Sequence, residues 1–421
     1  MRILVVGAGV AGTATAYFLA RDGHAVDVLD RAEAPASEGS YANAGLIHAS
    51  LAEPWNSPAA VVELLGSLAR RDGTLLLNAR QLPQLLGWGL RFLYHGLPGP
   101  RRANTRLNAR LAVYSQRVLG ELRGETGIQY DHSAAGLLKL FQSHKRLQAV
   151  RATSRMLEEF GVHHHVLTVD ELVEREPLLE PTRGELAGAI HYPGDESGCP
   201  HLFARELAHR AEALGACFHH GVGVRRLRMQ GKRLDRVITD QGDFEADTLI
   251  IAAGPEAADL GRGIGLRLPI RPVKGYSTTL PLGSDVPAPS VPLSDDGRKL
   301  VINRLGNRLR IAGTAEFAGL DRGITEMRVE QLRRRACETM PALAACLPGR
   351  EEEPWACLRP MTADGPPILG ETPIPNVYLN AGSGHLGWTM AAGSARLVAD
   401  LVAGRTPEIP VEGFSMRRYR L

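Results

Sequence analysis

Apolar positions along the chain change period several times, and the opening residues hold the most compact instance. Ile3-Leu-Val-Val6 is a buried-strand run, and Val10 to Arg21 repeats its apolar residues at helical spacing. Ala25-Val-Asp-Val-Leu29 returns to a strand, and Asp30 closes it. Between strand and helix stands Gly7-Ala8-Gly9-Val10-Ala11-Gly12. In a G-x-G-x-x-G turn of this kind Gly7 permits the tight bend, Gly9 admits a pyrophosphate close to the backbone, and Gly12 lets helix and strand pack. The helix N-terminus then points unpaired N–H groups at phosphate. Asp30 is placed to accept from the adenosine ribose hydroxyls, with Arg31 beside it. An unrelated α/β fold can begin with the same βαβ unit, but strand, helix and acid at this spacing predict an adenine dinucleotide.

Farther along, Pro58 to Arg123 reads as helices rich in Leu and Arg, broken at Pro83 and at Pro98-Gly-Pro100. Leu82 to Leu97 carries Trp88, Phe92, Leu93 and Tyr94 beside Arg91, with Arg101-Arg102 after it. Such a stripe either packs on its own core or rests on a membrane surface, and the core is the expected partner. Gly136 to Phe141 is a predicted strand, Ser143 to Phe160 a helix ended by Gly161, and Val169 to Leu179 a short helix closed by Pro177. The run His163-His164-His165 alternates sides of an extended chain without flanking Cys or carboxylates, so a loop is expected there rather than a metal site. His201 to Leu214 is helical, Ala216 to His220 and Val237 to Asp240 are strands, and Ala246 to Ala252 is a buried strand ending on Ala253-Gly254. A second nucleotide-type strand so far from the first predicts one nucleotide-binding domain assembled from separated segments. Leu266 to Gly313 alternates strands and turns, with a hairpin at Gly306-Asn307. Met327 to Leu343 is helical, Val377 to Asn380 is a strand, and a long helix follows Gly387.

The 421 residues suffice for two cores, and the formal net charge of +3 with scattered basic residues argues against nucleic acid as a partner. No apolar run reaches the length of a bilayer span. The nucleotide strand begins at Ile3, which leaves no room for a leader, and the five dispersed cysteines fit reduced thiols. A cytoplasmic protein is therefore expected. Ser40-Tyr-Ala-Asn43-Ala44-Gly45 concentrates small residues after the nucleotide unit, a pattern suited either to backbone held against a flat ligand or to a plain mobile loop.

Taken together, these blocks resemble the D-amino-acid oxidase family of FAD-dependent oxidoreductases, and within it bacterial D-amino-acid dehydrogenases. The resemblance rests on Gly7 to Gly12, Ser40-x-Ala-Asn43-Ala-Gly45 and Asp195-Glu-Ser-Gly198. It continues through Val273-Lys-Gly-Tyr276-Ser, Leu358-Arg359-Pro-Met-Thr-x-Asp364-Gly and Gly384-His-Leu-Gly387-Trp-Thr-Met-Ala. It implies an α/β fold: a glutathione-reductase-type FAD-binding domain from discontinuous segments, plus a substrate domain with a six-stranded mixed, largely antiparallel sheet. The corresponding division is 1–57, 199–265 and 351–421 for FAD, and 58–198 and 266–350 for substrate. Arg359 looks like the clamp for the substrate carboxylate, and a planar guanidinium fork suits that task. Tyr276, His48 and His385 are candidate pocket residues. Asn43, Ala44, Gly45 and Leu46 match the segment along the flavin ring, and Val222, Ala253 and Gly254 the adenine side. Gly384, His385, Leu386, Gly387, Trp388 and Thr389 match the helix start beside the flavin pyrimidine, where N–H groups stabilise reduced flavin.

Three departures stand out. His48 and His385 occupy positions where close relatives use small hydroxyl residues, and a buried structural histidine is the safer expectation for both. The tyrosines that oxidases of the family carry over the substrate are missing at Lys299-Leu-Val-Ile. Cys357 lies where sarcosine oxidases attach flavin covalently, but is expected to pack as a small apolar side chain. The implied reaction is hydride transfer from the α-carbon of a D-amino acid to flavin, giving a 2-keto acid and ammonia after hydrolysis, with no obligatory protein base. Electrons pass on to a quinone at the inner membrane face, with the Pro58–Arg123 helices as docking surface. An oxygen-using oxidase of glycine, sarcosine or D-proline-like amines is the nearest alternative, and a flavin-binding electron-transfer subunit or an NAD-dependent dehydrogenase a more distant one. Partner subunits or a homo-oligomer fit the resemblance equally.

Overall fold

The computed structural model describes residues 1–56, 64, 66, 73, 75–283, 286–347 and 349–419. The expected helical stretch from Pro58 therefore lies outside the described residues up to Leu75, apart from 64, 66 and 73. The first sheet has the strand order Ile368–Glu371, Val377–Ala381, Thr248–Ile251, Arg2–Val6, Ala25–Leu29, Cys217–His219. All neighbours are parallel except the antiparallel first pair. Its strands come from the start, the middle and the end of the chain, as the separated Ala-Ala-Gly strand predicts.

Alternation along Ile3-Leu-Val-Val6 explains its two coats. Ile3 and Val5 join the core under the helices Val10–Arg21, Pro98–Thr126, Pro200–Ala213 and Gly387–Val402. Leu4 and Val6 face the other side, against residues of the three-stranded antiparallel sheet Val224–Gln230, Arg233–Thr239, Asp243–Glu245. Burial on both faces is why the run reads as continuously apolar rather than alternating.

The second sheet runs Glu353–Thr362, Ile270–Pro281, Arg308–Phe317, Leu300–Leu305, Leu293–Asp295, Leu137–Phe141, Gly188–Tyr192, His165–Leu167. Leu75–Leu77 adds to Arg308–Phe317, making nine described strands where six were expected. Mixed pairing holds: Leu293–Asp295 runs parallel to Leu137–Phe141, and the long strands are antiparallel. Strand Glu353–Thr362 pairs over its whole length with Ile270–Pro281. The division at residue 351 is thus misplaced for this strand, because Ile368 is where the chain re-enters the first sheet. His165 opens a short strand instead of lying in a loop, paired with His191. The 3-10 turn Pro177–Glu185 extends past the Pro177 stop expected for the preceding helix, which ends at Arg175.

Helix Leu82–His95 is apolar on two sides. Trp88 and Phe92 are buried, and the Trp88 indole N–H donates to Pro269 O at 3.0 Å. Leu86 and Leu90 stay 67% and 69% exposed, and Leu82, Leu93, Tyr94 and Leu97 continue their row. The expected core contact describes only one face of the helix.

Candidate functional site

One cavity of about 660 Å³ lies between the two sheets and runs from the glycine turn to the second sheet. At its nucleotide end Gly7 has φ +106°, and a Cβ there would sit 2.5 Å from Ala252 O. A Cβ on Gly12 would fall 1.8 Å from Gly7 O, so no larger residue fits where helix meets turn. Asp30 is half-buried on the cavity wall, accepting from Ala8 N at 2.6 Å and Ala32 N at 2.8 Å. Burial raises its carboxyl pKa, and the two backbone donors work against that rise. Each oxygen keeps a lone pair for further donors. Arg31 forks onto Glu38 at 2.8 and 2.7 Å and reaches Glu256 at 2.9 Å, while Arg322 ties the same two acids. Val222, Ala253 and Gly254 complete this end.

The small-residue segment is held as a strap by its own carbonyls. Ala42 O accepts from Ser277 Oγ at 2.6 Å, and Asn43 O from Arg310 at 2.8 Å. Ala44 O accepts from Asn303 at 2.9 Å, and Gly45 O from Gly198 N at 2.8 Å. Four consecutive carbonyls tied by three strand residues of the second sheet and by Gly198, plus the Asn43 Oδ1 bond to Gly45 N at 2.8 Å, exclude the mobile-loop alternative. Leu46-Ile47 then pairs with Glu196-Ser197, which gives the Asp195-to-Gly198 block its place. Ser40 Oγ accepts from Val10 N at 3.2 Å and lines the cavity with Gly9, Ala11, Asn43, Ala44, Gly45 and Leu46.

At the far end Arg359 lies in the groove over Gly275, where a Cβ would come within 2.0 Å of Nη1. Its guanidinium stands 5.3 Å from the Trp55 ring centroid and donates to Thr314 O at 3.3 Å. No carboxylate of the described residues forms an ion pair with it. Trp55 stacks in turn on His385 at 5.0 Å, and His385 Nε2 donates to Leu51 O at 3.2 Å. His48 is buried with Nδ1 unpartnered, while its backbone N–H donates to Thr389 Oγ1 at 3.1 Å. Burial lowers the pKa of His48 to about 3, with the His385 and Lys139 charges adding to it. His385 is lowered to about 4, mainly by burial. Both rings are neutral near pH 7. Asp195 is buried below them, accepting from Ala49 N at 3.1 Å and from the Ser50 hydroxyl, and burial lifts its pKa to about 7.

Gly384, His385, Gly387 and Trp388 line the cavity at the start of helix Gly387–Val402. Among the residues expected at the site, Ala8, Gly12, Leu386 and Thr389 sit one layer behind the wall. Ala8 N is committed to Asp30, Gly12 to the Gly7 carbonyl, Leu386 to the core and Thr389 to His48. Tyr276 requires correction. Its neighbour Ser277 faces Ala42, so strand alternation sends Tyr276 to the opposite face, where its hydroxyl is 3.0 Å from Glu316. Cys357, expected to be packed away, is half-buried on the cavity wall. Trp55 and Lys139 were not anticipated. An isolated Trp after Pro54, and a Lys inside an apolar strand, carry no sequence signal of their own.

A profile of the DAO family, described as FAD dependent oxidoreductase, matches residues 2–401. A D-amino acid dehydrogenase of Paramagnetospirillum magneticum is 42% identical over 420 residues, covering 100% of this chain and 99% of the relative. A crystal structure of glycine oxidase from Geobacillus kaustophilus superposes with TM-score 0.77 at 27% identity, covering 99% of both chains. An L-proline dehydrogenase from P. horikoshii shares the fold with TM-score 0.76 at 18% identity, covering 100% of this chain and 98% of that one. The chain belongs to the DAO family of FAD-dependent oxidoreductases. The cradle described above fits that cofactor: a glycine turn that no side chain fits, an acid with free lone pairs, and a strap of fixed backbone.

Proposed function

We propose that the protein is an FAD-dependent D-amino acid dehydrogenase, converting D-amino acids to 2-keto acids and ammonia. The observation that carries the reading is Arg359, a guanidinium inside the cavity without a carboxylate partner among the described residues. Arg359 is half-buried, and a charge partly withdrawn from water without a counter-ion is relieved by a substrate carboxylate through two parallel bonds. The near-full-length identity to a D-amino acid dehydrogenase supports the substrate class and its hand.

Bound FAD supplies the hydride acceptor. The chain supplies position and electrostatics. Arg359 is fixed by Trp55 and by Thr314 O, so the fork is set before substrate arrives. The neutral His48 and His385 rings leave that cation the dominant charge near the substrate carboxylate. Gly384 and Gly387, opening a buried helix, present backbone N–H groups at the cavity wall. In this reading Gly7, Gly9, Val10, Ala11, Asp30, Arg31 and Ser40 hold the dinucleotide, Asn43 to Leu46 back the ring, and the two sheets mark the FAD and substrate domains.

The exposed row on helix Leu82–His95, flanked by Arg80, Arg91 and Arg102, supports docking to an anionic membrane with a quinone as acceptor. Among the described residues no helix is long and apolar enough to cross a membrane. The test is anaerobic flavin bleaching of the holoenzyme by D- and L-alanine, followed by air or a quinone analogue. Bleaching by the D-isomer with fast reoxidation only by quinone is expected. Fast reoxidation by air makes it an oxidase, and bleaching by neither isomer removes amino acids as substrates. Sedimentation with vesicles of anionic lipid, lost in L86S/L90S, checks the docking face.

A further inference from the structure

Beyond the Arg359 end, the same cavity is lined by a charged cluster that hydride transfer to flavin does not require. Lys139 lies on strand Leu137–Phe141 and is buried, its ammonium 3.2 Å from Asp296. Arg146 forks onto the same carboxylate at 2.8 and 3.2 Å, and Lys299 approaches it at 3.5 Å. Glu53, the next acid, is engaged by Arg101 at 2.9 Å and by Thr153 at 3.1 Å. Asp295 is committed to Arg298, Gln142 and Thr339. Lys139, Arg146, Lys299 and Arg101 thus share this wall with three carboxylates, Asp296, Glu53 and Asp295, which leaves an excess of one positive charge. His48, 6% exposed on the same wall, adds a ring nitrogen with no partner.

We infer that this wall is a side-chain subsite for an acidic D-amino acid, D-aspartate or D-glutamate, whose distal carboxylate meets Lys139 Nζ and His48 Nδ1. The inference rests on the dehydrogenase reading and specifies its substrate. Arg359 takes the α-carboxylate at one end of the chamber, and the ammonium of Lys139 has two donors beyond its contact with Asp296. An anion delivered there balances the charge excess and favours the ammonium form that burial opposes. His48 donates in the tautomer that carries its proton on Nδ1. A neutral side chain of equal length leaves both groups as they are, so discrimination between carboxylate and amide is the signature.

The experiment compares anaerobic flavin reduction in the holoenzyme by D-glutamate against D-glutamine, and D-aspartate against D-asparagine, with D-alanine alongside. At least one acid is expected to reduce flavin with a KM about tenfold or more below that of its amide, the scale of a charged hydrogen bond. K139Q is expected to abolish that ratio. Asp296 keeps Arg146 and Lys299 in this variant, and retained flavin absorbance reports that the cavity is intact. A second readout needs no turnover: glutarate should perturb the flavin spectrum at lower concentration than its monoamide in wild type, and at equal concentration in K139Q. If D-alanine bleaches the flavin but acids and amides are equivalent, the subsite is wrong and the dehydrogenase reading stands. An acid-to-amide ratio that survives K139Q also overturns it. If no D-amino acid bleaches the flavin, the underlying reading fails first.

Discussion

At the scale of single residues, Arg359 sets the affinity for substrate. Lysine retains the charge but not the fork, and it cannot lie flat against Trp55. R359K is expected to raise the KM for D-alanine about tenfold to a hundredfold, the loss of one charged hydrogen bond. Flavin reduction at saturating substrate should change less than KM. An unchanged KM would remove Arg359 from the substrate. A second expectation concerns proton linkage. His48 and His385 have folded pKa values of about 3 and about 4 against an ordinary 6.5. Below pH 6.5 the unfolded chain takes up protons that the native rings refuse, so their contribution to stability is lost as pH falls toward 4. Asp195 works in the other sense: its native pKa of about 7 exceeds the ordinary 3.8, so its contribution is lost as pH rises across that window. D195N removes only the second effect. Calorimetry should show its melting temperature, relative to wild type, climbing from pH 4 to pH 7, while H385N gains relative to wild type toward acid. Parallel curves would show that these groups do not titrate as their surroundings dictate.

At the scale of elements, close approach of helices is what fits the cavity floor together. Gly393 of helix Gly387–Val402 lies against Ser115 of helix Pro98–Thr126, where a Cβ would come within 2.7 Å of Ser115 Cβ. Its N–H also donates to Ser115 Oγ at 2.9 Å. G393V should cost about 1–3 kcal/mol by overpacking and lower flavin occupancy, because the same helix begins at the cavity wall. S115A should cost about 1 kcal/mol, one neutral hydrogen bond. Equal unfolding midpoints for G393V and wild type would mean that the helices are free to separate. Element identity was largely legible from periodicity, since Ile3 to Leu29 and Gly387 to Val402 each carry a full local pattern. Partnership was not. The block around Leu358-Arg359 was legible as a motif, but nothing local says that Glu353–Thr362 is a strand paired with Ile270–Pro281 and not with the first sheet. Tyr276 shows the same limit at finer grain: its strand is evident, but its face depends on Ser277 meeting the Ala42 carbonyl. The histidines at 48 and 385 were visible as departures, while Trp55, which joins Arg359 to His385, had no motif to announce it.

At the scale of the whole molecule, the cofactor cavity is where distant segments are obliged to agree. Gly7 follows a strand from the start of the chain, Ala252 and Ala253 end one from the middle, and Gly384 follows one near the end. The strap Ala42–Gly45 is tied to three strand residues of the second sheet and to Gly198. A ligand touching all of these binds the native assembly and has nothing comparable to bind when the chain is unfolded. Linkage then requires that FAD raise stability by about 2.7 kcal/mol at a hundredfold excess over its dissociation constant, and further with concentration. Flavin-stripped protein should melt lower than holoprotein, the difference growing with added FAD. Hydrogen exchange should slow on FAD addition both in the strap and around Gly384, although they belong to different parts of the sequence. Riboflavin reaches only the ring end, and should protect the strap while leaving the Gly7 turn and the Arg31–Glu38–Glu256 ties exchanging as in the stripped protein. Protection confined to the glycine turn by FAD itself would sever the strap from the cofactor, and with it the assignment of Asn43 to Leu46 to the flavin ring.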